Sequence, residues 1–277
     1  MRLSISNIAW HTGDDEAVAG LLEQHGFDAI DVAPGKYFPQ PQEARPHEVS
    51  RVRAWWSERG IEIVGMQALL FGTSGLNLFG SEAVQQAMLH HLDAVCRIAA
   101  GLGARKLVFG SPKNRDRSLL SDAQAHAHAV SFFQQLGDIA QRHGVFVCLE
   151  PNPTCYGANF MTTTHETART VAAVAHPAIR MQLDTGAITI NGESIAELLA
   201  EHAALIGHIH LSEPDLAPLG DCGVDHVALH AAMARVLPDH VATIEMLATS
   251  QEPPLKSVER ALVFANRHYR PERQAYA

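Results

Sequence analysis

Four residues able to hold a cation or move a proton close four successive apolar runs. They are Glu150 in Val-Phe-Val-Cys-Leu-Glu-Pro, Asp184 in Met-Gln-Leu-Asp-Thr-Gly, His210 in Ile-Gly-His-Ile-His-Leu, and Glu245 in Ala-Thr-Ile-Glu-Met. Three carboxylates and one imidazole form a mixed oxygen/nitrogen donor set suited to one divalent ion, with Mn²⁺, Mg²⁺, Co²⁺ and Zn²⁺ all compatible. Such an ion stabilises the negative charge that develops when a proton leaves the carbon beside a carbonyl. A pair of glutamates supplies the general base and general acid for that step. Taken singly, each residue has an ordinary reading. A strand-terminal carboxylate can be a helix cap or a surface ion pair, Asp184-Thr185-Gly186 can be a simple Asx turn, and His210 can be a hydrogen-bonded core imidazole. Their common phase is what argues for a site.

The intervals between the four are 34, 26 and 35 residues, about the size of one strand-plus-helix unit in a (β/α)₈ barrel of roughly 250 residues. The remaining segments fit that repeat. Strand-like runs fall at Leu3–Ile8, Phe27–Val32, Ile61–Met66, Lys106–Phe109, Val145–Glu150, Ile179–Asp184, Ile206–Leu211 and Val241–Glu245. Helical periodicity lies between them, as in Glu82–Ala100, Asp122–Arg142 and Thr164–Ala175. Gly26, Gly60 and Gly144 stand where a helix must stop before the next strand. The expectation is one α/β domain, a TIM barrel over residues 1–277 with eight strands, eight helices and a polar tail after His268. A doubly wound open sheet is the rival, but the run after the first strand, Asn7-Ile8-Ala9-Trp10-His11, lacks its Gly-rich phosphate loop.

Composition narrows the function classes. The chain is 47% hydrophobic and carries a formal charge of −9, with its basic residues scattered. That disfavours duplex nucleic acid, whose binding depends on clustered Lys and Arg. No apolar run approaches the roughly 20 residues of a membrane span, and the first residues lack the layout of a signal peptide. A cytoplasmic enzyme is expected, with its cysteines reduced and homo-oligomerisation left open.

Because strand side chains alternate faces, inward-pointing Glu150, Asp184, His210 and Glu245 carry Cys148, Gln182, His208 and Thr243 into the layer below. That layer is polar where branched aliphatics are usual, and it can orient metal ligands. Two long loops, residues 33–45 and 68–80, follow strands and are expected to overhang the mouth. So does Ser111–Arg117, with Lys113, Arg115 and Arg117 within five residues. This loop reads either as solvated surface or, with help from Lys36, as a clamp for an anionic group.

Glu150-Pro151-Asn152-Pro153, Asp184-Thr185-Gly186-Ala187, His208-Ile209-His210-Leu211-Ser212 and Ile244-Glu245, in that order, resemble the xylose isomerase-like TIM-barrel superfamily. Within it, the chain is most similar to the sugar phosphate isomerase/epimerase group that includes D-tagatose 3-epimerase. Met66-Gln67-Ala68-Leu69-Leu70-Phe71-Gly72, Gly110-Ser111-Pro112 and the 218–225 loop share the likeness. The resemblance implies one divalent ion on Glu150, Asp184, His210 and Glu245, with Glu150 and Glu245 exchanging protons with a sugar, sugar phosphate or sugar acid. Gln67, Asn152, His208, Lys113 and Arg115 are the expected substrate contacts.

Two positions depart from the group. Ala187 stands where the epimerases carry a histidine, and Ser212-Glu213-Pro214-Asp215-Leu216 lacks their arginine. Both disfavour a simple free ketohexose. A keto-polyol dehydratase and a non-catalytic sugar-binding barrel are the alternatives. A trinuclear zinc endonuclease of the apurinic-site type would need histidines where Gln67, Gly110 and Ala187 stand.

Overall fold

The computed structural model describes residues 1–270 of the chain. Eight strands, β1 (Arg2–Ser6), β2 (Ala29–Val32), β3 (Glu62–Met66), β4 (Lys106–Phe109), β5 (Phe146–Leu149), β6 (Ile179–Asp184), β7 (Ile206–Ser212) and β8 (Val241–Glu245), pair in parallel and in order. β1 also pairs with β8, which closes the barrel. The strands match the apolar runs, with small differences at their ends. β1 stops at Ser6 because the Ser6 hydroxyl caps a 3₁₀ turn at Asn7–Ala9.

The surrounding helices are α1 (Asp15–Gln24), α2 (Pro46–Ser57), α3 (Glu82–Leu102), α4 (Asp122–His143), α5 (Thr164–Val174), α6 (Thr185–Asn191), α7 (Ile195–His202), α8 (His226–Val236) and α9 (Pro254–Tyr269). Among the described residues that is one more than the eight expected. Asp184 caps the seven-residue α6, which ends at Gly192 before α7 begins. α3 shows how the outer layer attaches: Met88, Leu92, Val95, Ala99 and Leu102, spaced three to four apart, are buried against the barrel. α4 stops at Gly144, whose φ of 66° lies in the left-handed region that a side chain disfavours.

Inside the barrel the layer below the mouth is polar. Ser4, Asp31, Gln182, His208 and Thr243 are buried there with Cys148. Register sets the mouth above it: Asp184 lies beside His210 across β6–β7, and Ser212 beside Glu245 across β7–β8. The polar tail begins later than expected. α9 continues through Tyr269, whose ring is buried and whose hydroxyl lies 2.6 Å from His226 Nδ1; residues 271–277 lie outside the described region. Among the described residues, no helix is long and apolar enough to cross a membrane.

Candidate active site

Four strand ends bring Glu150, Asp184, His210 and Glu245 together, one ligand atom from each lying within 4.8 Å of the others. All four are buried, the carboxylates exposing only 7–9% of their surface. His210 Nδ1 is 3.1 Å from Glu150 Oε1, 3.2 Å from Glu245 Oε2 and 4.0 Å from Asp184 Oδ2. One imidazole nitrogen therefore faces three carboxylates, and a single N–H cannot serve them all.

Each side chain is fixed by partners outside the cluster. Asp184 Oδ1 caps α6 by accepting from the Ala187 N–H at 2.6 Å, and its Oδ2 accepts from the Ser212 hydroxyl at 2.7 Å. Capping therefore holds Asp184 in place while its second oxygen faces the cluster. Glu150 begins the loop after β5. Its carbonyl accepts from Arg115 Nη1 at 2.7 Å, and its Oε2 lies 3.4 Å from Asn152 Nδ2. Room for this carboxylate depends on Gly110, where a Cβ would stand 1.9 Å from Glu150 Oε2. Glu245 Oε1 accepts from Gln67 Nε2 at 2.5 Å. Below, His208 Nε2 is 2.6 Å from Asp31 Oδ2 and 3.3 Å from the Thr243 hydroxyl, and with its amide reversed Gln182 accepts from the His210 backbone.

The electrostatics are those of crowded like charges. Burial, then repulsion from Glu245 and Glu150, pushes the Asp184 carboxyl up to about 7. Burial opposes a charge on His210, yet the surrounding carboxylates raise its pKa well above the usual range. Burial alone would raise Glu245, but the adjacent imidazole holds it below its ordinary value. Three buried carboxylates converging on one nitrogen leave excess negative charge that a divalent cation would neutralise. Their oxygens with His210 Nδ1 are the donors such an ion takes. The residues fit a metal.

The cluster floors a cavity of about 700 Å³ at the barrel mouth. Both long loops reach it, through Ala33, Gly35 and Lys36 and through residues 68–71. Gln67 and Asn152 line the cavity as expected; His208 does not, because it is tied to Asp31 in the layer beneath. The basic loop divides. Lys113 borders the cavity and is exposed, whereas Arg115 is fully buried against the Glu150 carbonyl and Arg117 pairs with Asp122 at 2.5 Å. Arg115 therefore cannot reach an anion in the cavity as the clamp required.

Sequence reasoning missed Asp31, the partner of His208. Its only signal was a carboxylate inside the apolar run Ala29-Ile-Asp-Val32. It also missed Glu213, which lines the mouth and is held by the Gly220 N–H at 2.6 Å, by the Cys222 N–H and by His226.

Among solved structures, the chain is similar to D-psicose 3-epimerase from Clostridium cellulolyticum H10, determined with D-tagatose (TM-score 0.80, 17% identity, 97% of this chain and 99% of that one). It is equally similar to an L-ribulose 3-epimerase (TM-score 0.80, 16% identity, 99% and 96%). A 3-keto-D-glucoside 4-epimerase from E. coli follows at TM-score 0.79 and 16% identity, over 96% and 99%. At these identities the likeness establishes the fold. No curated protein matches the chain by sequence. The family match itself covers residues 19–267, and the chain belongs to the xylose isomerase-like TIM-barrel family.

Proposed function

We propose that this protein is a divalent-metal-dependent sugar epimerase or isomerase that moves a proton at the carbon next to a carbonyl, using Glu150 and Glu245. The observation that carries the reading is how the two glutamates divide their oxygens. Glu150 Oε1 and Glu245 Oε2 both face His210 Nδ1, while Glu150 Oε2 and Glu245 Oε1 lie against the cavity-lining amides of Asn152 and Gln67. That division supports a role for one oxygen of each at the metal centre and for the other toward substrate.

An ion held by Glu150, Asp184, His210 and Glu245 would supply Lewis acidity to a carbonyl and its neighbouring hydroxyl. The protein's own groups do the rest. Glu150 approaches from β5 and Glu245 from β8, three strands apart, so one can take a proton from one face while the other returns it on the opposite face. Asn152 and Gln67 orient the two carboxylates. Similarity to epimerases whose names specify psicose, ribulose and a ketoglucoside supports a ketose or keto-sugar substrate. With Arg115 inside the protein and Lys113 at the rim, a neutral substrate is favoured over a sugar phosphate.

Turnover in D₂O tests the assignment. Deuterium should enter at the carbon beside the carbonyl in a product of unchanged composition. Glu150→Gln and Glu245→Gln should each lower the rate by at least about 10²-fold. One of the two should still exchange label into one epimer without completing inversion. Full retention of the original hydrogen at normal turnover would mean hydride transfer and would remove the two-glutamate mechanism; loss of water would make the enzyme a dehydratase.

A further inference from the structure

A second group of metal-ligating side chains lies on the outside of the barrel. His165 is in the first turn of α5, and Glu201 and His202 are the last two residues of α7. His165 Nδ1 and His202 Nε2 are 3.0 Å apart, and Glu201 Oε2 is 3.7 Å from the first and 3.6 Å from the second. The two rings meet edge to face at 5.1 Å, with the two nitrogens in contact and the Glu201 carboxylate oxygen beside both.

A tetrahedral zinc with bonds of about 2.0–2.2 Å sets its ligand atoms roughly 3.4 Å apart. The three observed separations bracket that value, so small rotations would bring all three donors onto one ion. His165 and Glu201 are exposed and His202 is partly covered, so a metal can enter from the solvent side of His165 and Glu201. We propose that His165, Glu201 and His202 form a second binding site, selective for a borderline divalent ion such as Zn²⁺. Two nitrogens and one oxygen favour zinc over magnesium or calcium, which prefer oxygen-only surroundings. A fourth position faces solvent and is open to water.

The location gives the site a mechanical role. Thr164, beside His165, already donates from its N–H and its hydroxyl to Glu193 at 3.0 and 2.8 Å. α5 follows the segment that carries Pro151, Asn152 and Tyr156 along the cavity. An ion on the two histidines would add a second clasp on the start of α5, this one to the end of α7. Binding would appear as stability, without any part in the chemistry at the mouth.

The test uses the full chain stripped of metal and then loaded with ZnCl₂. After desalting, the wild type should retain one more zinc per chain than a His165→Ala/His202→Ala double variant. Zinc at about a hundredfold excess over its Kd should raise the wild-type Tm about 5 °C further than that of the variant. Glu201→Gln should weaken the extra binding, and MgCl₂ should not reproduce it. Because the readout is the difference between two proteins sharing an intact mouth, it does not depend on what the mouth binds. Metal-free circular dichroism should be the same for both, since neither side chain belongs to the barrel's core. Equal zinc content and equal Tm shifts in the two proteins would overturn the proposal; a single variant, His202→Gln, decides the matter if the double variant is poorly folded.

Discussion

The two ends of the barrel handle charge in opposite ways. At the mouth, Glu150, Asp184 and Glu245 are buried around one imidazole, and burial, with repulsion from Glu245 and Glu150 added to it, raises Asp184 to about 7. At the opposite end, Arg53, Arg105, Lys106 and Arg180 border two smaller cavities. There the cations rest on a ring and on carbonyl oxygens: Lys106 Nζ lies 4.3 Å over Phe146, and Arg105 donates to the Gly144 carbonyl at 2.6 Å. Satisfied charges at one end and crowded ones at the other mark the mouth as the place where charge costs the fold stability.

The largest expected effect breaks the mouth side of this contrast. A carboxyl whose folded pKa is raised keeps a proton that the unfolded chain has already shed. Without metal, Asp184 should therefore cost the folded state stability as pH climbs from its ordinary 3.8 through about 7. His210, raised above 6.5, contributes stability below that pH and loses it as pH rises through its folded value. The two effects share a sign, while Glu245, lowered from 4.5, acts only toward acid. In chelator, thermal melts should show Tm falling with rising pH over this range. Asp184→Asn should raise that Tm and flatten its slope, while abolishing the stabilisation conferred by added Mn²⁺ or Co²⁺. An unchanged slope in the variant would show that the carboxylates do not repel one another as described.

Arg115 sharpens the comparison, since it is a fully buried guanidinium beside the acidic cluster. Burial draws its pKa down to about 10, opposed by the pull of Glu150 and Glu166. Arg115→Met strands the Glu150 carbonyl and should cost about 1–3 kcal/mol in urea unfolding, the penalty of an unsatisfied buried group. It should also lower kcat, because Glu150 loses its anchor. Lys113→Ala should leave both stability and kcat near wild type. A rise in KM alone for Arg115→Met, with stability intact, would restore the anion clamp.

The smallest effect is expected at the barrel's other end. Lys106→Ala removes the contact with Phe146 and should cost about 0.5–1 kcal/mol, with activity unchanged. Impaired turnover in this variant would mean that the two ends are coupled.

What could be seen in the sequence and what could not differ by range. Strand ends, helix stops and the phase of Glu150, Asp184, His210 and Glu245 are local patterns, set by the side-chain alternation of a strand and the repeat length of one β/α unit. Eight repeats in order imply closure, and closure implies that strand ends meet. The extra helix α6 was hidden because Asp184-Thr185-Gly186 reads equally as a turn; only the Ala187 N–H landing on Asp184 Oδ1 makes it a cap.

The chain alone thus determined the barrel and the end of it at which Glu150, Asp184, His210 and Glu245 meet, because strand alternation and the β/α repeat are local patterns. Tertiary structure decided the rest. His208 turns away from the cavity because Asp31 is 177 residues distant in sequence and 2.6 Å away in space. Arg115 leaves the surface because the Glu150 carbonyl, 35 residues on, needs a donor. A charged side chain goes where its partner is, and partners that far apart are joined only when the barrel closes.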